Sequence, residues 1–188
     1  MKQVKMIIAG VGGQGVLYLT DLLAEAALQA DLPAAASGIR GLSRRGGSVV
    51  TGITFGENTF GFVEKGGAHF LIGLELLEAQ RCLSYLNRDS TAIIDTTRIL
   101  PHAVQAGRAQ YPSTAALLDY LTRNIRKTVL VTEGAQDMRN IFILGKASME
   151  EGFPVGPDCL ERAIRKIAKP DRIETTLKVF REAQNEKG

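Results

Sequence analysis

Two glycine-rich segments are the parts of this sequence whose residue types and spacing could support chemistry. The first, GVGGQG at residues 10–15, directly follows a short apolar run and directly precedes a helical pattern. Glycines in a G-x-G-x-x-G spacing let the backbone turn tightly and approach a pyrophosphate at the amino end of a helix. This turn is therefore a candidate site for a phosphate-bearing ligand or for a partner's backbone. Its candidate residues are Gly10, Gly12, Gly13, Gln14 and Gly15.

The second segment is GIRGLSRRGG at residues 38–47, in which arginines lie among glycines. A guanidinium group binds phosphate or carboxylate through two parallel hydrogen bonds, so Arg44 and Arg45 are candidate anchors for an anion. A solvated surface loop is the competing interpretation. Because glycine is placed where the backbone needs unusual angles, the sequence favours a loop that contacts a ligand or a partner subunit. Its candidate residues are Arg40, Ser43, Arg44, Arg45, Gly46 and Gly47.

The first segment matches a dinucleotide fingerprint only in part. A nicotinamide site also needs an acidic residue about 20 positions further on, at the end of the second strand. Residues 34–37 are Ala, Ala, Ala and Ser, and Asp31 precedes that strand instead of ending it. Close packing of a helix against a strand would also explain the glycines. A stand-alone nucleotide-binding module remains the alternative function.

The rest of the sequence offers no self-contained catalytic set. It contains no Ser/His/Asp arrangement, no phosphate-loop lysine and no HExxH motif, so no catalytic residue is assigned. Two cysteines and two histidines are present, without the paired spacing of a metal site, so we expect no metal on this chain. Glu75 and Asp95 are predicted to follow strands, at the rim where α/β sheets bind ligands.

The order of apolar patterns predicts an α/β protein. The apolar run at residues 4–9, the glycine turn and an amphipathic segment at residues 16–30 indicate strand, turn and helix. Strands and helices then alternate, which favours a three-layer single domain over residues 1–188, with a mainly parallel sheet, an added β-hairpin and a helical C-terminus. The other predicted strands are 32–37, 48–55, 59–63, 68–73, 91–95 and 128–132, of which 48–55 and 59–63 form the hairpin. The other predicted helices include 74–86, one that begins after Ser113, 157–167 and one from Ile173 onward.

Composition excludes several classes of protein. The chain has 188 residues, of which 45% are hydrophobic and 23% charged, with a net charge of +3 and no tryptophan. That balance is typical of a globular protein and does not indicate a nucleic-acid surface. No apolar run approaches the roughly 18 residues of a membrane-spanning helix. Few cysteines and no secretory signal pattern predict a cytoplasmic location.

The two glycine motifs together resemble a known family. GVGGQGV at residues 10–16 and GLSRRGGSVV at residues 41–50 are similar to motifs of the gamma subunit or gamma domain of 2-oxoacid:ferredoxin oxidoreductases. The likeness continues through Gly56 and Glu57 and through LIGLELLEA at residues 71–79. Within the family, the chain looks most like the small beta subunits of indolepyruvate ferredoxin oxidoreductases. Residues 140–148 fit both a strand and a helix, and the resemblance favours a helix.

The resemblance implies a subunit of an enzyme that oxidatively decarboxylates a 2-oxoacid, such as indolepyruvate or another aryl-pyruvate, to an acyl-CoA and passes the electrons to ferredoxin. It implies that thiamine diphosphate and iron–sulfur clusters belong to partner subunits, with no cofactor on this chain. Coenzyme A is a candidate ligand at the interface. The expected partner is the large thiamine-diphosphate-binding subunit, and the chain alone is expected to be inactive. In isolation we expect it to self-associate, because a surface made for a partner stays apolar and exposed.

Overall fold

A six-stranded mixed sheet forms the centre of the molecule, in a computed structural model that describes residues 3–40, 46–134 and 136–186. The strand order is β2-β3-β1-β4-β5-β6. Strand β1 pairs in parallel with β4, β4 with β5 and β5 with β6, whereas β3 runs antiparallel to both of its neighbours. The strands are β1 Val4–Val11, β2 Ala34–Arg40, β3 Ser48–Phe55, β4 Ala68–Gly73, β5 Leu86–Asp95 and β6 Lys127–Val131.

Helices cover both faces of this sheet and complete the predicted three layers. Side chains alternate along β1, so Met6 and Ile8 face one apolar cluster while Ile7 and Ala9 face the other. Helices α1, α5, α6 and α7 pack on the first face, and α2 and α4 pack on the second. The helices are α1 Val16–Gln29, α2 Leu76–Arg81, α3 His102–Gln105, α4 Thr114–Asn124, α5 Arg139–Ser148, α6 Pro157–Ile167 and α7 Ile173–Asn185.

The antiparallel hairpin is present but lies elsewhere in the chain than predicted. It is formed by β2 and β3, so the arginine–glycine segment connects its two arms. Residues 59–63, the predicted second arm, form no strand. The Gly61 N–H instead donates to Thr54 Oγ1 at 3.1 Å, and its carbonyl accepts from Ser37 Oγ at 2.7 Å. These side-chain bonds hold the segment across the hairpin, and a Cβ at Gly61 would come within 2.7 Å of the Ala36 carbonyl carbon.

Two further boundaries differ from the prediction, and one ambiguity is resolved. The helix predicted over 74–86 ends at Arg81, and β5 begins at Leu86 because Leu86 pairs with Ala68 at the start of β4. Residues 140–148 belong to α5, as the resemblance implied. In the part of the chain that the structure describes, no helix combines the length and apolarity needed to cross a bilayer.

Candidate functional site

The two glycine motifs meet at the edge of the sheet where the parallel strands end. The Gly12 N–H donates to the Gly47 carbonyl at 2.8 Å, and the Gly46 N–H donates back to the Gly12 carbonyl at 3.3 Å. The glycine turn therefore touches the root of the β2–β3 connection. Gly13, at the tip of the turn, is exposed to solvent. Ligands of α/β proteins bind beyond the carboxyl ends of parallel strands, which is the edge where this contact lies.

The structure describes part of the predicted site. Gly10, Gly12, Gly13, Gln14 and Gly15 lie in or beside the turn, and Gly46 and Gly47 lie against it. Ser43, Arg44 and Arg45 fall outside the described residues, and so does the side chain of Arg40.

Two glycines of the turn are required for different physical reasons. Gly13 has φ +105° and open space around it, so only its backbone conformation disfavours a side chain. Gly15 has φ +86°, and a Cβ there would also overlap the side-chain amide of Asn140. Asn140 lies near the start of α5, so the third glycine is needed for helix packing whether or not a ligand binds.

The side chain of Gln14 fills the inside of the turn. Its Oε1 accepts from the Val11 N–H at 2.7 Å, and its Nε2 donates to the Leu74 carbonyl at 2.7 Å. A Cβ on Gly10 would lie 3.0 Å from Gln14 Oε1 and 3.1 Å from Leu74 Cβ. The turn is therefore closed by the protein's own amide, and a ligand would contact its outer side at Gly13.

A polar cavity of about 360 Å³ opens beside the turn. Its floor lies where β4 and β5 end, and its far wall is the beginning of α5. The Asn140 amide, the Thr97 hydroxyl and the turn backbone offer neutral hydrogen-bonding groups. The cavity is lined by Gly13, Gln14, Gly15, Leu74, Asp95, Thr97, Asp137, Arg139 and Asn140.

A buried ion pair forms one wall of the cavity. Asp95, which is 1% exposed, accepts from Arg139 Nε at 2.9 Å and from Arg139 Nη2 at 2.8 Å. The same guanidinium donates to the Val131 carbonyl at 3.1 Å. Arg139 is the one cation among the described lining residues, and Asp95 already neutralises it. Asp137 adds a second carboxylate to the lining. The described wall therefore carries a net negative charge, and a bound phosphate would need positive charge from elsewhere.

Glu75 holds a neighbouring chain segment against the same edge. The sequence placed Glu75 and Asp95 at the rim of the sheet, and both lie there, at the ends of β4 and β5. The Glu75 carboxylate accepts from the Glu78 N–H at 2.9 Å and caps α2. It also accepts from the Ile99 N–H at 3.0 Å and from the Tyr111 hydroxyl at 2.6 Å. Burial of Tyr111, together with its hydrogen bond to Glu75, raises the pKa of that phenol well above its usual range.

The sequence analysis missed Arg139 as a site residue. A single arginine at the start of a helix resembles any surface arginine, and only its contact with the distant Asp95 distinguishes it. Among the described residues, no group of three or more histidine, cysteine or acidic side chains could hold a metal ion. Cys82 is buried and Cys159 is half-buried, and neither forms a disulfide.

Comparisons with known proteins cover nearly the whole chain. A model of the family described as pyruvate ferredoxin/flavodoxin oxidoreductase matches residues 5–186. The indolepyruvate oxidoreductase subunit IorB of Archaeoglobus fulgidus is 29% identical over 191 residues, covering 98% of this chain and 95% of that protein. The protein of the same name from Pyrococcus horikoshii is 29% identical over 189 residues, covering 96% and 94%.

Solved structures share the fold at low sequence identity. The gamma subunit of a keto/oxoacid ferredoxin oxidoreductase from Geobacter sulfurreducens has a TM-score of 0.69 at 20% identity, covering 98% of this chain and 95% of that one. A 2-oxoglutarate:ferredoxin oxidoreductase from Magnetococcus marinus, solved with 2-oxoglutarate, coenzyme A and succinyl-CoA, has a TM-score of 0.71 at 13% identity. In that case the match covers 98% of this chain but 31% of the longer one.

Proposed function

The chain belongs to the pyruvate ferredoxin/flavodoxin oxidoreductase family, and on that premise we propose that it presents a docking edge for coenzyme A and for a larger subunit of its complex. The resemblance drawn from the two glycine motifs is confirmed. The chain is a subunit of a 2-oxoacid:ferredoxin oxidoreductase, and the alternative of a stand-alone nucleotide-binding module is not supported. We take residues 1–188 as one gamma-type domain.

The names of the relatives favour indolepyruvate or another aryl-pyruvate as the 2-oxoacid. In the proposed reaction the substrate carboxylate leaves as CO₂, the acyl group passes to coenzyme A, and two electrons pass to ferredoxin. Thiamine diphosphate and iron–sulfur clusters supply the decarboxylation and electron-transfer chemistry. We assign them to partner subunits, since two cysteines cannot supply the four thiolates of a cluster.

The contact between the two glycine motifs carries this proposal. It brings Gly46 and Gly47 against Gly12, next to the exposed Gly13, which lines the 360 Å³ cavity. The polar lining offers hydrogen-bonding groups to the amides of a pantetheine arm or to the edge of an adenine. The phosphates would require Arg44 and Arg45, because Arg139 is already paired with Asp95. The cavity residues thus bind and orient the ligand, and the acyl transfer takes place on the partner.

Exposed apolar side chains support assembly with a larger subunit. Phe60 is 82% exposed and Phe62 is 68% exposed, both on the segment that crosses the hairpin. Large exposed apolar groups of this kind mark surfaces that contact other proteins. We expect the isolated chain to self-associate and the complex not to, which size-exclusion chromatography with and without the partner subunit would measure. Two cysteines that form no disulfide favour a reducing compartment, and we therefore propose the cytoplasm.

The test replaces both loop arginines in the co-expressed complex. We expect the Arg44→Ala, Arg45→Ala double variant to raise the KM for coenzyme A by about 10- to 100-fold, because hydrogen bonds between charged groups are lost. Arg123→Ala is the matched control, since Arg123 is exposed on α4, where it pairs with Asp119 of the same helix. If the double variant assembles normally and keeps the KM of the control, the loop does not bind coenzyme A.

A further inference from the structure

The carboxylate of Glu78 is buried between α2 and the first residue of β3. The side chain of Glu78 is 4% exposed. Oε2 accepts from the Ser48 hydroxyl at 2.5 Å, and Oε1 accepts from Arg81 Nη1 at 2.6 Å. Both oxygens are therefore engaged, one by the sheet and one by the helix that carries the residue.

Ser48 is the point at which the arginine–glycine connection joins the sheet. The two residues before it, Gly46 and Gly47, exchange hydrogen bonds with Gly12 of the glycine turn. On the β2 side the register shifts between Gly38 and Arg40. Among the described residues, Ser48 pairs with Val11 of β1. The bond from its hydroxyl to Glu78 adds a side-chain constraint at the start of β3.

A carboxylate is a demanding group to place at this position. Burying a charge costs free energy unless it is paired and hydrogen-bonded, and an apolar contact could join α2 to the sheet without that cost. A hydrogen-bonded carboxylate restricts direction as well as distance. With one oxygen held by Arg81, the other can meet the Ser48 hydroxyl only over a narrow range of positions.

We propose that Glu78 is a positioning residue, which acts through Ser48 to orient the root of the arginine–glycine connection against the glycine turn. The proposal rests on the proposed function of that edge. Glu78 touches no reacting group in this scheme. Its loss lets Gly46 and Gly47 move away from Gly12, so the contact between the two glycine motifs is weakened.

Hydrogen–deuterium exchange on the full chain tests the positioning itself. We expect Glu78→Leu and Ser48→Ala each to raise the exchange rate at Gly12 and Gly46 by about tenfold, because their amides lose a constrained partner. Ser48→Thr keeps the hydroxyl and is expected to restore slow exchange. Glu150→Gln is the matched control, since Glu150 is an ion-paired acid, 11% exposed, near the opposite end of the sheet. Exchange at Gly12 and Gly46 that stays at the level of the control in both variants overturns the proposal.

Steady-state kinetics of the assembled complex separate this proposal from the function of the loop. We expect Glu78→Leu to raise the KM for coenzyme A by about tenfold with little change in kcat, and the Glu78→Leu, Ser48→Ala double variant to add little to either single change. Faster exchange with an unchanged KM would support Glu78 as a positioning residue and contradict the coenzyme A role of the loop. A fall in kcat without faster exchange at Gly12 and Gly46 would overturn the positioning role.

Discussion

The hydroxyl of Tyr111 lies 2.6 Å from Oε1 of Glu75, a carboxylate that is 1% exposed. The same hydroxyl accepts from the Leu77 N–H at 3.1 Å, so one phenol oxygen joins the segment after β5 to the first turn of α2. That segment also supplies Thr97 to the cavity wall. The hydrogen bonds of this phenol therefore help to fix the segment that forms part of the cavity wall, so their loss should affect both the stability of the protein and the shape of the candidate site.

Replacing Tyr111 with phenylalanine is expected to destabilise the protein by about 1.5–3 kcal/mol, because the buried Glu75 carboxylate loses a hydrogen-bond donor. Urea denaturation at pH 7 measures the change. Tyr120→Phe serves as the control, since Tyr120 is 43% exposed on α4. Equal unfolding free energies for the two variants would contradict the role given to the phenol.

Alkaline pH is expected to weaken the folded protein through the same group. The pKa of Tyr111 in the folded state lies above its ordinary value of 10.0, mainly because burial disfavours the phenolate. A group whose pKa is raised on folding contributes stability below its unfolded pKa, and that contribution declines as pH rises above it. The stability difference between the parent and Tyr111→Phe should therefore be constant near pH 7 and shrink above about pH 10. A stability difference that grows as the pH rises would contradict a raised pKa of Tyr111 in the folded protein.

Gly15→Ala is expected to cost more than Gly13→Ala, although both residues have positive φ angles. Backbone strain of about 1–3 kcal/mol applies to both, but only at Gly15 does a Cβ overlap the Asn140 amide. Adding Asn140→Ala to Gly15→Ala should therefore recover part of the loss. A double-mutant cycle of unfolding free energies measures the coupling, and additive effects would show that Asn140 does not restrict Gly15.

Asp95→Asn is expected to destabilise the protein by about 3–5 kcal/mol, because Arg139 is left largely buried without its counter-ion. Asp119→Asn removes an exposed helical ion pair and should cost less than about 0.5 kcal/mol. Thermal and urea unfolding of both variants give the comparison. Similar losses in the two would mean that the cavity wall does not depend on the buried pair.

Local patterns in the sequence were sufficient to place the glycine turn and the helix that follows it. The apolar run, the glycines and the three-to-four spacing of α1 lie next to one another in the chain. The meeting of Glu75, Asp95 and the turn at one edge follows from the geometry of parallel strands. These features need no knowledge of long-range contacts.

The hairpin and the second half of the site depend on contacts between distant residues. Residues 34–37 are alanine-rich and carry little strand propensity, so the pairing of β2 with β3 was less apparent than a turn at Gly56. Arg139 contacts Asp95, and Asn140 contacts Gly15. The residues of each pair lie far apart in the chain, and no local pattern of apolar or polar residues predicts that they meet. Such pairs can be identified only once the packing of α5 against the sheet edge is known.

The amide of Gln14 occupies the inside of the turn before anything binds. The bend is therefore already held in the free protein, and a molecule that docked at Gly13 would not have to order this backbone. If this edge binds coenzyme A as proposed, the turn need not refold between one turnover and the next.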